Sequence, residues 1–169
     1  MCSLQRAHWF GGLTSTKEEM AGSSPAAWTL YMQQRVSAFQ LRWNEPLGLK
    51  QCPYMRRWVL NCWLFSIRLH QWYRSDDKRF FHDHPWSFLT LVLRGGYTDV
   101  SPNSKDDVVA PALRFRHSSH KHYVKVHKGG ALTLLLTGPP LRKWGFWVKK
   151  RLLTPGQYFQ QYGHPPCSE

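Results

Sequence analysis

Glutamate is nearly missing from this chain. None occurs between Pro46 and Ser168, so acid–base or metal chemistry in that stretch falls to aspartate and histidine. Acidic residues number 10 against 23 lysines and arginines, a formal net charge of +13. No apolar run approaches the roughly 20 residues of a membrane helix, which excludes a helical span. Met1 to Gly12 holds no long apolar segment, so a secretory signal is not expected and a soluble cytoplasmic protein is the default. The four cysteines, Cys2, Cys52, Cys62 and Cys167, form no CxxC pair. Without a secretory signal, free thiols are expected. Cys62 reads as core, and Cys52 and Cys167, with His164 nearby, as a minor metal or redox site at most. No helix-turn-helix or zinc-finger spacing is present, and no internal repeat.

What is present suits one β-rich domain. Hydrophobic residues make up 42% of the 169 positions and aromatics 15%, enough apolar surface for a core and too much for global disorder. Nine Trp, seven Tyr and nine Phe favour strands over helices. The basic residues are scattered (Arg56, Arg57, Arg74, Lys125, Lys128, Lys143) apart from Lys149–Lys150–Arg151. They read as a solvated surface, with a nucleic-acid partner ranked lower.

Along the chain, residues 1 to 24 read as a loosely packed leader. Residues 26 to 43 show helical spacing of Trp28, Met32, Phe39 and Trp43, stopped by Asn44–Glu45–Pro46. Pro46 to Pro53 reads as a connector. From Tyr54 the pattern becomes short strands: a long strand or hairpin over Arg57–Trp72, a turn at Ser75–Asp77, strand over Phe80–Leu93 broken at Pro85, and a turn at Gly95–Gly96. A short strand at Tyr97–Val100 and a polar loop at Ser101–Asp107 follow, then strands at Leu113–His117, His122–Val126, Leu132–Thr137 and Lys143–Val148. Lys128–Gly129–Gly130 and Gly138–Pro139–Pro140 read as separators. The division is an extension and connector over 1–53 and an antiparallel barrel or sandwich with a tail over 54–169.

Six of nine histidines lie between His82 and His127. Two pairs have i, i+2 spacing, His82–Asp83–His84 and His120–Lys121–His122. On a strand such residues share a face, and two imidazoles on one face can converge on a cation. His122, Val124 and Val126 form the more apolar set on their strand, which places His122 inward, where its ring needs a partner. His70 shares a face with Ser66, Arg68 and Trp72 and points to a polar cavity or to solvent. Asp83 points opposite to its flanking histidines.

The segments RSDDKRFFHDHPWSFLTLVLRGGYTD and ALTLLLTGPPLRKWGFWV, with CPYMRRW before and YFQQYGHPPC after, resemble a group of small bacterial and phage cupin-superfamily proteins, over Pro46 to Cys167. The cupin pattern has a histidine pair, a glutamate shortly after and then a glycine. His82, His84 and Gly95 match, while Phe88 or Leu89 stands where the glutamate belongs. A later strand supplies one more histidine, best matched by His122 with His120 competing; Pro111 and Ala112 stand for the usual proline and glycine. The resemblance implies a cupin-like antiparallel β-barrel (double-stranded β-helix or jelly roll) with a short N-terminal helical or irregular extension. It also implies a divalent metal on His82, His84 and His122, with Fe(II) favoured over Zn, Mn or Ni because cupin thiol dioxygenases hold iron on three histidines. Asp99 is a candidate additional ligand, and Tyr97, Arg116 and Arg142 candidate pocket residues for an anionic group. Trp144 and Trp147 read as core. A dioxygenase-like metalloenzyme acting on a small substrate is the first reading. A non-catalytic sensor or sequestering module, phage-encoded in one version, is the second, and a basic nucleic-acid-associated protein the third. A homodimer is among the expected assemblies.

Overall fold

The computed structural model describes residues 39–49, 51–165 and 167; the leader over residues 1 to 24 lies outside them. Among the described residues the order is β1 (Gln40–Leu49), β2 (Cys52–Asn61), β3 (Ser66–Trp72), β4 (Phe81–His82), β5 (Phe88–Ser101), β6 (Ser104–Val109), β7 (Ala112–Arg116), β8 (Tyr123–Thr137), β9 (Phe146–Val148), β10 (Arg151–Leu153) and α1 (Pro155–Tyr162). All pairings are antiparallel. The larger sheet runs β1-β2-β3-β8-β5-β6, with β7 also on β5, and the smaller runs β10-β9-β4. The expected all-β architecture is therefore present.

Register sorts side chains onto the two faces of the larger sheet, because alternate residues of each strand point oppositely. The inner face carries the cross-strand rows Asn61–Ser66–Thr137–Phe88, Val59–Arg68–Leu135–Thr90 and Arg57–His70–Thr133–Val92. The outer face carries Leu41–Leu60–Ile67–Leu136–Leu89–Phe115 and Trp58–Leu69–Leu134–Leu91–Leu113. The outer rows are apolar yet exposed, with Leu113 at 57%, Phe115 at 62% and Leu136 at 47%. One apolar centre packs Val92, Tyr97, Val108, Val124 and Ala131, and a second packs Leu47, Tyr54 and Met55 against Trp72 and Phe159. Helix α1 opens with a Thr154–Gln157 capping box and buries Tyr158, whose ring stacks on Phe146 at 3.9 Å.

Several local expectations are corrected. The helix over residues 26 to 43 does not extend into the described part: Gln40–Leu49 is strand β1, passing through Asn44–Glu45–Pro46 by a bulge between Arg42 and Glu45. Strand pairing thus begins ahead of Tyr54. The Gly95–Gly96 and Lys128–Gly129–Gly130 separators are not turns either. Strands β5 and β8 run through them, with register shifts between Val92 and Tyr97. Gly95 has φ +70°, and a Cβ there would stand 2.1 Å from the Gly130 carbonyl oxygen. The glycines let two long strands bend together where a turn would have ended both. The polar loop at Ser101–Asp107 is the tip and second strand of the β5–β6 hairpin. Cys52 and Cys167, expected as free thiols, form a disulfide across 115 residues, because the chain after α1 returns to the start of β2. Cys62 is free and half-buried.

Candidate metal centre

The centre is assembled from two chain segments facing one another. His82 ends β4 and makes an isolated antiparallel bridge with His122, each backbone N–H donating to the other's carbonyl at 2.9 Å. Directly opposed residues put their side chains on the same face, and the two rings lie 4.9 Å apart. His84 lies just beyond β4, and the side chain of the intervening Asp83 is locked between its neighbours. The Asp83 carboxylate is fully buried. It accepts from Gly145 N–H at 3.0 Å and Trp147 Nε1–H at 3.0 Å, and pairs with Arg142 at 3.0 Å. Asp83 thus points away from the histidines, as its parity implied, and holds the 142–147 segment against them.

His84 Nε2 approaches His122 Nε2 to 2.9 Å. One ligand nitrogen from each of His82, His84 and His122 lies within 4.8 Å of the other two. An ion with bonds of about 2.0–2.2 Å spaces its donors roughly 3–4 Å apart, so the set fits one divalent cation. Burial, reinforced by the neighbouring His122, pushes the His82 ring well below its ordinary value. Burial, followed by His82 and His122, does the same to His84. Both are therefore neutral, the form that ligates.

His122 Nδ1 meets Asp99 Oδ1 at 3.0 Å, and its opposite nitrogen faces the triad. Asp99 also takes His120 Nε2 at 3.1 Å and Arg116 Nε–H at 2.7 Å. Burial pushes the Asp99 carboxyl up, but the hydrogen bonds from His120, His122 and Arg116 outweigh it and hold it below the usual carboxylate range. Asp99 therefore stands behind His122, the arrangement in which a carboxylate fixes the tautomer and orientation of an imidazole. Asp99, His120 and His122 form a second cluster that could itself hold a cation. Asp99→Asn is expected to weaken metal affinity about 10- to 100-fold with an unchanged far-UV spectrum. Competition with a chelator measures it, and an unchanged affinity would remove Asp99 from this role.

Other candidates are placed elsewhere. His70 lies in the barrel on β3, outside both clusters. Tyr97 belongs to the apolar centre, and burial pushes its hydroxyl up to about 12. The charges of Arg116 and Arg142 are matched by Asp99, Asp106 and Asp83. A cleft of about 430 Å³ is lined by Asp99, Arg116, His117 and His120 but not by His82 or His84. His164 stacks on Phe159 at 4.6 Å, and Trp147 serves Asp83 rather than the core alone.

Asp76, read from the sequence as a turn residue, lies beside the triad instead. It accepts from Val124 N–H at 2.7 Å and from the Tyr54 hydroxyl, and its Oδ2 lies 3.9 Å from His82 Nε2. Burial raises its carboxyl to about 7, against the Val124 hydrogen bond. The available signal was scarcity: of 10 acidic residues, Asp77, Asp83 and Asp99 are buried and Asp76 nearly so.

The chain folds as an all-β cupin barrel. Among solved structures, the polyketide cyclase RemF from Streptomyces resistomycificus aligns with a TM-score of 0.51 at 15% identity, over 74% of this chain and 88% of that one. An RmlC-like cupin from Shewanella frigidimarina aligns at 0.43 and 12% identity, over 60% and 84%. KdgF from Halomonas sp. aligns at 0.45 and 13%, over 62% and 89%. No protein-family model matches the chain, and no curated protein matches it in sequence. No helix among the described residues is long and apolar enough to cross a membrane.

Proposed function

We propose that this chain is a divalent-metal-binding cupin enzyme, with Fe(II) favoured at His82, His84 and His122, that performs dioxygenase-like chemistry on a small anionic substrate. The observation that carries the reading is the convergence of three imidazoles, one buried and two half-buried, with a carboxylate behind one. A divalent ion held there with open positions would supply Lewis-acid or redox activation of the substrate. The protein's own part is to orient: Asp99 holds His122, the backbone bridge to His122 holds His82, and Asp83 holds the chain between His82 and His84. Trp86 stacks on His84 at 4.9 Å and Phe88 meets it edge-on at 4.9 Å, shielding that ring from water.

The test is metal analysis of the purified protein, followed by oxygen uptake by the Fe(II)-loaded form with small organic acids. Near-stoichiometric iron with turnover supports the reading, and Zn, Mn or Ni in its place would correct the ion. Tight small-molecule binding without turnover reassigns the chain to the non-catalytic modules. Failure to hold any ion overturns the site. Protons compete with metal for imidazole. Because burial disfavours the protonated rings of His82 and His84, the ion should be retained at the ordinary histidine pKa of about 6.5 and released only well below it.

We also propose a homodimer through the apolar outer rows of the larger sheet. Leu41, Ile67, Leu113, Phe115 and Leu136 stand exposed on them, and obligate homodimers cover apolar faces of this kind. Light scattering should give a dimer that Phe115→Lys with Leu136→Lys converts to monomer; a monomeric parent chain would refute it.

A further inference from the structure

A second polar group of side chains lies on the inner face of the barrel, and its hydrogen-bonding capacity is not met. His70 is 7% exposed. Neither its Nδ1 nor its Nε2 has a hydrogen-bond partner, although a neutral imidazole carries one donor and one acceptor and burying them unmet destabilises the fold. Its cross-strand neighbours are Arg57 on β2 and Thr133 on β8, and the Thr133 hydroxyl already accepts from Trp72 Nε1–H at 3.0 Å.

Arg68, two residues back on the same face, is the unmatched charge. It donates Nε–H to Ser66 Oγ at 2.8 Å, and its guanidinium lies 4.6 Å from the Trp86 ring centre. Among the described residues no carboxylate pairs with it. Glu45, the acidic group on that side, is engaged by Arg57 at 2.7 Å and by Arg42 at 3.7 Å. Burial, then Arg57 and Arg42, push Arg68 down to about 9, and burial with Arg68 and Arg57 pushes His70 down. A half-buried cation without a counter-ion beside a buried imidazole without a partner is a poor solution for stability and a good one for receiving an anion.

We propose that Arg68 and His70, flanked by Arg57, form a receptor for the carboxylate group of a small organic acid inside the barrel. The terminal nitrogens of Arg68 form the planar fork that matches a carboxylate, and neutral His70 donates the additional N–H. The receptor is adjacent to the histidine triad: Trp86, over which Arg68 lies, stacks on His84 with an interplanar angle of 13°. An acid bound through its carboxylate at Arg68 can direct its other polar end toward His84. This extension rests on the metal-site reading; the receptor itself does not.

The experiment titrates the metal-free protein with acetate, using acetamide as the neutral control at constant ionic strength, and follows the histidine side-chain resonances by NMR. Saturable acetate shifts at His70 that acetamide does not produce are expected. Arg68→Met should weaken acetate about 10- to 100-fold, and Arg68→Lys should fall between. Arg68→Met removes an unpaired, half-buried charge without leaving a void, so its melting temperature should equal or exceed that of the parent chain, which separates lost binding from lost folding. Absence of saturable binding to the parent chain, or unchanged affinity in Arg68→Met, overturns the proposal. The two readings fail separately. His84→Ala should lose metal and keep acetate, whereas Arg68→Met should lose acetate and keep metal.

Discussion

Replacing His82 or His84 by alanine is expected to take bound metal from about one equivalent to background while the far-UV dichroism stays that of the parent chain. Each change removes one of three donors that lie within 4.8 Å of one another. A two-imidazole remainder cannot close a structural coordination sphere of the usual kind. The barrel should survive, because its cohesion lies in the rows of β2, β3, β5 and β8 and in the centre around Val92 and Val124. His82 also loses its ring contact with Phe146 at 5.8 Å, so a modest destabilisation accompanies His82→Ala. Metal content and dichroism measured on the same samples check this. Retention of stoichiometric metal in both variants would disprove the assignment.

The second large effect is on folding. Asp83→Ala is expected to destabilise the chain by about 3–5 kcal/mol. The carboxylate is 0% exposed. Its loss strands the buried Gly145 N–H and the Trp147 indole N–H and leaves the Arg142 guanidinium without its partner. Arg142 is 30% exposed and can turn to water, so Arg142→Ala should cost much less than Asp83→Ala. The damage should also reach the metal centre, since β9, which pairs Phe146 with His82, is held by the same carboxylate. Urea denaturation of the two variants measures the difference. A cost for Asp83→Ala below about 1 kcal/mol, the range of a simple surface change, would show that the carboxylate is not what holds the 142–147 segment.

Much of the architecture was legible in residue order. Aromatic and β-branched enrichment with turn signals implied an antiparallel β fold, and strand parity placed His122 beside Val124 on the inner side and turned Asp83 away from its neighbours. These are local properties: alternation on a strand depends only on the chain's own geometry. The glycine pairs show where local reading ends. Gly95–Gly96 and Gly129–Gly130 carry the same composition in a turn as in a bulge, and only the partner strand decides which forms.

What the sequence determined by itself is the inventory: histidines in two i, i+2 pairs, almost no glutamate, a surplus of arginine, and strands to mount them on. What only the tertiary structure decided is which groups meet. Asp99 stands behind His122 and joins His120 and His122 in a second cluster. Arg116 and Arg142 meet Asp99, Asp106 and Asp83, while Arg57, counted among surface charges, and Arg68 face inward. Asp76 moved from a turn to the side of His82, and Cys52 found Cys167. Each of these depends on contacts between residues distant in the chain, and the charge and hydrogen-bonding state of a side chain is set by those neighbours and by burial rather than by its place in the sequence.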